Sequence, residues 1–360
     1  MNKFTVYQIA DVHLRDAQYQ RRSRGQDFLN AFESILVKVV SLGGSVLIVS
    51  GDFLDSTRPS PKIVEFLKRM QAFAISHGLM IYVTSGNHDM TDPHWLTATL
   101  DLSDAGGFRV IDNKLVTLPA GLTLYGLPFV NREKFNAIKP ELPPASILAF
   151  HTSVQEMMNF KSESALPLAE LPHEKYQVIA IGDIHIRMKK TIGTCLVSQP
   201  GSTEMCSTAE DENKVMVALD FEDGKFVGDR DIPITSRRVL RFRITSEDQM
   251  EPALLECEAS KKDEPIIVID YSLGISNIQQ RFIARIDPTK AIIRFNILFG
   301  NVPMLNMGLD LREDLTVLDF LGKFIPEGTE LYTLARALIN DEGNATDLVD
   351  AYIEKIKKAA

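Results

Sequence analysis

The sequence predicts an α/β protein with a second, smaller α+β domain and a helical C-terminal segment. Three observations lead to this prediction. Strand-like and helix-like segments alternate through about the first 230 residues, five strand-like runs there end in Asp, Asn or His, and a compact β-α-β-α-β pattern follows Pro233. Alternation of this kind is typical of an α/β domain, and polar strand ends indicate where such a domain binds.

Composition sets the limits for the class of protein. A chain of 360 residues, 45% hydrophobic and 24% charged, is long enough for two or three soluble domains. No apolar run approaches the length of about 18 residues that a membrane span needs, and the start lacks the apolar segment of a signal peptide. The three cysteines fit neither a disulfide framework nor a C-x-x-C metal pair. We therefore expect no membrane association and a cytoplasmic location.

The acidic balance of the chain argues on its face against a nucleic-acid partner. The formal net charge is −9, but residues 301–360 hold 11 acidic and 6 basic residues and so account for −5 of it. Basic clusters occur at 21–24, 187–190 and 237–243. Each cluster is equally well explained as solvated surface, so charge alone does not decide the partner.

The first predicted domain covers residues 1–236. Strand-like runs lie at 4–10, 46–50, 80–84, 146–150 and 177–181. A helix is predicted at 27–42, where apolar residues at helical spacing are Phe28, Leu29, Phe32, Ile35, Leu36 and Val39. A second helix is predicted at 61–77, because Pro61 lies in its first turn and Gly78 follows its end.

The second predicted domain covers residues 237–300. Its strands are expected at 239–245, 266–271 and 291–299, and its helices at 247–261 and 277–286. Residues 301–312 show no period and are interpreted as a linker. Residues 313–360 are predicted to form three short amphipathic helices with more apolar surface than so short a segment can bury alone. These helices either dock on the body of the protein or bind a partner.

Each of the five apolar runs of the first domain leads into polar residues, often directly after a glycine. The polar residues are Asp11 and His13, Asp52, Asn87, His151, and Asp183 and His185. Because the carboxyl ends of strands form the binding edge of an α/β sheet, these side chains can converge. Residues two apart in extended chain point to the same side, so each Asp-x-His pair can face one ion.

We therefore predict that these residues hold two divalent cations. Two ions about 3.5–4 Å apart are commonly bridged by a carboxylate, so one ligand must be shared. A single Asp-x-His pair, or a lone buried His, is more often structural. Five such strand ends in order favour a metal site.

The same motifs resemble the calcineurin-like metallophosphoesterase superfamily, whose pattern is D-x-H, G-D-x-x-D, G-N-H-[DE], H and G-H-x-H. Within it, DVHL, GDFLDSTRPSP, GNHD and SQPGSTEM are similar to SbcD-type nucleases of double-strand-break repair, a group found in bacteria, phages and eukaryotes. The resemblance implies two packed mixed β-sheets flanked by helices, a small α+β DNA-capping domain, and a C-terminal helical segment that binds the coiled coil of an SbcC-type ABC ATPase. It also implies a homodimer formed through the helices at 61–77 and 92–102.

The resemblance further implies a DNA nuclease, with double-strand exonuclease and single-strand endonuclease activity, that attacks with water activated by two ions. One ion would take Asp11, His13, Asp52 and His185, and the other would take Asp52, Asn87, His151 and Asp183. His88 would protonate the leaving group or hold the phosphate. Asp55 would either orient His88 or cap a helix. Residues that could reach DNA are Arg15, Arg21, Arg22, Arg24, His94 and Arg187.

One position departs from the family pattern, because Asp183 stands where the family has His. A third carboxylate is expected to favour Mn²⁺ or Mg²⁺ over Zn²⁺. Two other functions stay open at this point: a phosphatase or phosphodiesterase of small molecules, and a scaffold subunit with an impaired metal site. The apolar helical tail favours the nuclease over the small-molecule enzyme.

Overall fold

The computed structural model describes residues 2–90, 106–158, 161–208, 210, 213–272, 275, 277–287, 291–299, 302–303 and 333. The predictions for His94, for the helix at 92–102 and for the C-terminal helices lie outside the described residues. The chain divides into two units, Met1–Pro303 and Met304–Ala360, and the description that follows concerns the first.

The described secondary structure gives bounds for the elements that build this unit. The helices are α1 (Arg22–Ser41), α2 (Pro61–Ser76), α3 (Arg132–Ile138), α4 (Met250–Ala259) and α5 (Ile278–Arg285). The first strands are β1 (Lys3–Ile9), β2 (Val46–Ser50), β3 (Met80–Thr84), β4 (Phe108–Val110), β5 (Lys114–Thr117), β6 (Thr123–Leu127), β7 (Ile147–His151) and β8 (Val178–Gly182). The later strands are β9 (Met188–Ile192), β10 (Cys195–Gln199), β11 (Val215–Glu222), β12 (Lys225–Pro233), β13 (Val239–Ile244), β14 (Ile266–Ser272), β15 (Ile292–Phe299) and β16 (Val302–Pro303).

Two mixed sheets form the larger part of the unit. The first has the strand order β12-β11-β1-β2-β3-β4, and the second has the order β5-β6-β7-β8-β10-β9. Strands β1 to β4 are mutually parallel, and so are β6, β7, β8 and β10. The strand ends that carry the predicted ligands therefore lie at the same edge within each sheet.

The core lies in three layers around these sheets. Between the sheets, buried residues such as Ile48, Ala149 and Leu219 form one apolar cluster. Helices α1 and α2 cover the outer face of the first sheet, and α3 contributes to the cluster on the outer face of the second. The predicted fold of two packed mixed sheets flanked by helices is confirmed.

Helix α2 shows how the sequence fixes one of these layers. The Ser60 side chain accepts a hydrogen bond from the backbone N–H of Ile63, at 3.3 Å, and so caps the helix just before Pro61. On its inner face, α2 buries the four residues that could have served either a dimer or the core, namely Ile63, Phe66, Leu67 and Met70. These four side chains belong to the core, and the homodimer stays a prediction.

A third sheet, with the order β13-β14-β15-β16, follows the two-sheet body. Helices α4 and α5 pack on one face of this sheet, around buried residues such as Leu240 and Phe282. The predicted β-α-β-α-β order is confirmed, although residues Glu247–Gln249 form a 3-10 turn before α4 begins. On the other face, Ile266 and Val268 pack against Met205 of the two-sheet body. The domain boundary at 236/237 stays a prediction.

Arg24 is a structural residue and corrects one prediction of a DNA contact. Its side chain is fully buried, and its guanidinium donates to Asp27 at 2.6 Å, to Glu204 at 3.2 Å and to the Met205 carbonyl at 2.6 Å. A guanidinium that is enclosed and paired in this way cannot reach a phosphate at the surface. The prediction that Arg24 contacts DNA is wrong.

Replacement of Arg24 by Met is expected to lower the free energy of unfolding by about 3–5 kcal/mol, because the buried Glu204 carboxylate loses its counter-charge. Urea unfolding measures the change. The matched control is Arg22→Met on the same helix, where the side chain is exposed and the expected change is within about 0.5 kcal/mol. Equal destabilisation by the two substitutions would contradict this role of Arg24.

Candidate metal centre

The loops after the parallel strands converge at one edge of the two-sheet body. The loop after β1 pairs with the loop after β2, since the backbone N–H of Asp11 donates to the Gly51 carbonyl at 3.1 Å and that of His13 donates to the Asp52 carbonyl at 2.9 Å. The backbone N–H of Asp183, after β8, donates to the Asp11 carboxylate at 3.1 Å. Backbone hydrogen bonds therefore hold three of the predicted ligand loops together.

Four predicted ligands adopt backbone conformations that are rare for residues with a side chain. The φ angles are 50° at Asp11, 47° at His13, 46° at Asp52 and 108° at Asp183. A non-glycine residue in such a region costs about 1–3 kcal/mol and persists only where its surroundings impose it. Strain of this kind concentrates at functional sites, so its presence at these four positions supports a role in binding.

Two glycines allow the loops to approach as closely as they do. A Cβ atom on Gly86 would lie 2.0 Å from Asp52 Oδ1, and a Cβ atom on Gly51 would lie 2.3 Å from His151 Nδ1. Neither distance is possible between real atoms, so only glycine fits. The glycines that precede Asn87 and Asp52 in the sequence therefore allow the backbone to come close at these two positions.

One group of side chains in the cluster is made by His13, Asp52 and His185. The Nε2 atoms of the two histidines lie 3.2 Å apart, and His13 Nε2 lies 3.6 Å from Asp52 Oδ2. His13 and Asp52 are buried, while His185 is partly exposed. The structure thus brings together three of the four residues predicted for the first ion, with Asp11 close behind them.

His151 is the centre of the second group. Its Nε2 lies 3.3 Å from Asp52 Oδ2 and 3.5 Å from Asp183 Oδ1, and its Nδ1 lies 3.8 Å from Asp11 Oδ1. Asp52 is therefore the carboxylate that contacts both groups, which is the position that a shared ligand would need. Its bridging role stays a prediction.

Asn87 and His88 lie in the loop after β3 and face outward. Both are exposed, and the His88 side chain has 43% of its surface accessible. The backbone N–H of His88 donates to Asp52 Oδ1 at 3.0 Å, and its Nε2 lies 4.0 Å from Asp52 Oδ2. His88 thus stands at the open side of the cluster, and the ligand role of Asn87 stays a prediction.

Asp55 contacts His88 through its backbone rather than its carboxylate. Its carbonyl lies 3.0 Å from His88 Nδ1, whereas its carboxylate pairs with Arg15 at 2.6 Å and lies 3.6 Å from His13 Nδ1. The alternative that Asp55 caps a helix is wrong, because Ser60 is the cap of α2. The carboxylate of Asp55 thus lies nearer to Arg15 and His13 than the prediction for His88 implies.

The charges of the cluster call for cations. Burial raises the pKa of the Asp11 carboxyl, although the neighbouring histidines oppose the shift. Burial also acts against ionisation of Asp52, but the neighbouring His151, with its Nε2 3.3 Å away, lowers the pKa of Asp52 to about 2. Burial alone would lower the pKa of His151, yet Asp52, Asp11 and Asp183 raise it. Three carboxylates in so small a space require positive charge beside them.

The donor set fits divalent metal ions. Among the described residues, buried His13 Nδ1 and His151 Nε2 have no hydrogen-bond partner, which is unusual for buried polar atoms. Two groups that could each hold an ion are Asp11 with Asp52 and His151, and His13 with Asp52 and His88. Carboxylate oxygens and imidazole nitrogens are ligands that Mn²⁺ and related ions accept.

The other arginines predicted to contact DNA differ in how exposed their side chains are. Arg15 has 14% of its side chain accessible and lies over the Phe28 ring at 4.4 Å while paired with Asp55. Arg187, 15% accessible, pairs with Asp229 at 3.0 Å and so ties the segment before β9 to β12. Arg22 is exposed and Arg21 is half-buried. Contacts of these residues with DNA stay predictions, and the pairing of Arg15 and Arg187 weakens them.

Sequence reasoning missed several residues that touch the cluster. Glu210 Oε1 lies 2.9 Å from His185 Nδ1, and Lys214 Nζ lies 2.7 Å from Glu210 Oε2. The Ser153 hydroxyl donates to Asp183, and Cys206 lies beside His13 and His185. None of them ends an apolar strand at the ligand edge, so the strand-end pattern could not reveal them. Cys206 and Glu210 follow shortly after the SQPGS segment, and this is the one feature of the sequence from which they could have been found.

A two-sheet α/β sandwich that gathers carboxylates and imidazoles at the carboxyl edge of its strands defines the class of metal-dependent phosphoesterases. The sequence profile of the family described as Calcineurin-like phosphoesterase matches residues 4–187, which is half of the chain. The chain therefore belongs to the calcineurin-like phosphoesterase family, a family of phosphoester hydrolases that use divalent metals.

Curated relatives named Mre11 confirm the predicted resemblance to SbcD-type nucleases, since the two belong to one type. The chain is 26% identical to the DNA double-strand break repair protein Mre11 of Methanosarcina acetivorans, over 78% of this chain and 48% of that protein. It is 24% identical to the protein of the same name from Methanocaldococcus jannaschii, over 96% of this chain and 97% of that protein. The chain thus spans about half the length of the Methanosarcina protein.

Two solved structures match part of the chain at low similarity. A predicted phosphoesterase from Streptococcus pneumoniae covers 65% of this chain at 13% identity and a TM-score of 0.31, with 99% of that chain matched. A dimetal phosphatase from Danio rerio covers 64% of this chain at 10% identity and a TM-score of 0.39, again with 99% of that chain matched.

Within the described part of the chain, no helix combines the length and apolar character that crossing a membrane requires.

Proposed function

We propose that the chain is a metal-dependent DNA nuclease, with exonuclease activity on double strands and endonuclease activity on single strands. The observation that carries the proposal is the meeting of Asp11, His13, Asp52, His151, Asp183 and His185 at one sheet edge. The chain that builds this cluster has relatives named as double-strand break repair proteins.

The proposed mechanism divides the work between two groups of ligands. Asp11, His13, Asp52 and His185 would hold one divalent ion, and Asp52, Asn87, His151 and Asp183 would hold the other. When bound, such ions lower the pKa of water and neutralise the charge of a phosphodiester. The chain's own part is to fix this geometry, which the strained backbone at Asp11, His13 and Asp52 does before any substrate arrives.

His88 is the residue proposed to act on the leaving group. It carries no ligand role in this scheme and is exposed on the open side of the cluster, where a phosphodiester would enter. The hydrogen bond between His88 Nδ1 and the Asp55 carbonyl, at 3.0 Å, requires a proton on Nδ1. Nε2 is then free to accept a proton and to donate it to the departing sugar oxygen.

The hard ion Mn²⁺ is the proposed cofactor, with Mg²⁺ as the second choice, because Asp183 adds a carboxylate where the family has His. Asp183→His is expected to raise the affinity for Zn²⁺ relative to Mn²⁺ by about tenfold, since imidazole suits Zn²⁺ better than a carboxylate does. Competitive titration of the two ions, in wild type and variant, measures the ratio. An unchanged ratio would show that Asp183 does not set the choice of metal.

The proposed partners are double- and single-stranded DNA and an SbcC-type ABC ATPase with a coiled coil, bound through the C-terminal helices, in a homodimeric complex. The third sheet lies near the cluster, because the Arg241 guanidinium donates to the backbone carbonyl of Glu210, whose carboxylate contacts His185. This position, one residue away from a proposed ligand, supports the proposal that the third sheet caps DNA at the metal centre.

The test compares two substrates. Purified protein with Mn²⁺ is assayed on end-labelled linear duplex DNA and on a nitrophenyl phosphodiester, with and without the ATPase. Cleavage of DNA supports the proposal. Cleavage of the small ester alone would replace it with a small-molecule phosphodiesterase, and inactivity of both wild type and Asp183→His on both substrates would leave a scaffold with an impaired site.

A further inference from the structure

Cys206 lies at the metal centre although the proposed ligand sets do not use it. Its Sγ, a ring nitrogen of His13 and a ring nitrogen of His185 all lie within 4.8 Å of one another. Cys206 is partly exposed, whereas the two other cysteines, Cys195 and Cys257, are buried in separate apolar clusters. Cys206 is thus the one thiol of the chain that can meet an ion at this site.

The two histidines lie as close together as two ligands of one cation would. Their Nε2 atoms face each other at 3.2 Å, and His13 is 97% buried. Two imidazole nitrogens this close repel each other unless a proton or a cation lies between their lone pairs. Ligands about 2.0–2.3 Å from a tetrahedral ion lie roughly 3.3–3.8 Å apart. The histidine pair is close to that spacing, and Sγ lies within 4.8 Å of both histidines.

One carboxylate holds both sides of this group. Glu210 Oε1 lies 2.9 Å from His185 Nδ1, and Glu210 Oε2 accepts the backbone N–H of Cys206 at 3.2 Å. Lys214 fixes that carboxylate in turn, with its Nζ 2.7 Å from Oε2. A ligand histidine whose other nitrogen is bonded to a carboxylate is oriented and made more basic, which strengthens metal binding. His185 and Cys206 are thus positioned together.

We propose that His13, His185 and Cys206 form a site for a thiophilic divalent cation, Zn²⁺ or Cd²⁺, which overlaps the site proposed for the hard ion. This proposal rests on the proposed function in one respect only, because His13 and His185 are also proposed ligands of the hard ion. On binding, the thiol proton of Cys206 passes to solvent and Sγ donates an electron pair to the cation, so no oxidant is needed. Thiolate selects soft cations, and such an ion at this position excludes the hard one.

The test titrates the full chain with Cd²⁺ alone and follows the ultraviolet charge-transfer absorption that only a cadmium–thiolate bond gives, with calorimetry for the affinity. Wild type is expected to show the band. Cys206→Ala is expected to lose it and to bind Cd²⁺ more weakly by on the order of tenfold or more. The matched controls Cys195→Ala and Cys257→Ala keep the band, and His185→Asn weakens it.

A wild-type protein without the band, or a Cys206→Ala variant that retains it, would overturn the proposal. The measurement needs no turnover, so its outcome is separate from that of the nuclease assay. A chain that shows the band but cleaves no DNA loses the proposed function and keeps this site. A chain that cleaves DNA with Mn²⁺ but shows no band keeps the function and loses the site.

Discussion

Asp52→Asn is expected to reduce phosphodiester hydrolysis by at least about a thousandfold, because the carboxylate shared by both groups of ligands loses its charge. Asp52 is the residue nearest to both halves of the cluster, since its Oδ2 lies 3.6 Å from His13 Nε2 and 3.3 Å from His151 Nε2. Its lowered pKa, about 2, keeps it ionised throughout the neutral range. No other described side chain can replace that charge at the same point.

The substitution also separates metal binding from folding. Asparagine keeps the volume of the side chain and an oxygen that can accept the backbone N–H of His88. We therefore expect Asp52→Asn to stay folded, as circular dichroism would show, while calorimetry finds weaker Mn²⁺ binding. Asp248→Asn, on an exposed turn of the third-sheet region, is the matched control and should leave both quantities unchanged. An Asp52→Asn variant with wild-type activity would refute the shared-ligand role.

His88→Asn is expected to lower the rate of hydrolysis by about 10²–10⁴-fold while Mn²⁺ binding stays the same, because His88 handles a proton and holds no ion. This division between rate and binding is what distinguishes His88 from the ligand residues. Rates on linear duplex DNA and calorimetric titration with Mn²⁺ measure the two quantities. The matched control is His77→Asn, at the exposed C-terminal end of α2, which precedes β3, whereas His88 follows the other end of that strand.

The alternative role for His88 is that of a metal ligand. His88 also lies 4.0 Å from Asp52 and forms a possible ion-holding group with His13. If His88→Asn weakened Mn²⁺ binding as strongly as Asp52→Asn does, His88 would be a ligand, and the proposed proton-transfer role would be refuted. Rescue of the rate with a leaving group that needs no proton, such as nitrophenolate, would support the proton-transfer role.

The ligand edge could be predicted from the sequence because each residue there follows a strand. A parallel strand fixes where its last residue lies, so Asp11, Asp52, His151 and Asp183 could be placed together without any knowledge of the loops. The helices were equally accessible, since α2 carries its own start signal in Ser60 and Pro61. Periodicity and caps are local properties of the chain.

Other parts depend on contacts that no local pattern records. Strand β12 and the edge strand β9 are half-exposed and short of apolar runs, so no local pattern predicts them. Strand β11 is buried and apolar, but its place beside β1 depends on pairing with a strand about 210 residues away along the chain. In the sequence, Arg24 belongs to a basic cluster and cannot be told from a surface arginine. In the fold it is buried and paired with Glu204, 180 residues away along the chain. Glu210 and Cys206 likewise come close to His185 only through the fold, and their roles could be inferred only from the structure.

The most direct test of the metal centre is the anomalous scattering of a crystal soaked in Mn²⁺. Two peaks about 3.5–4 Å apart are predicted, one beside His13, Asp52 and His185 and the other beside Asp52, His151 and Asp183. Peaks elsewhere in the molecule, or none at this edge of the sheets, would contradict the proposal that these side chains hold a pair of catalytic ions.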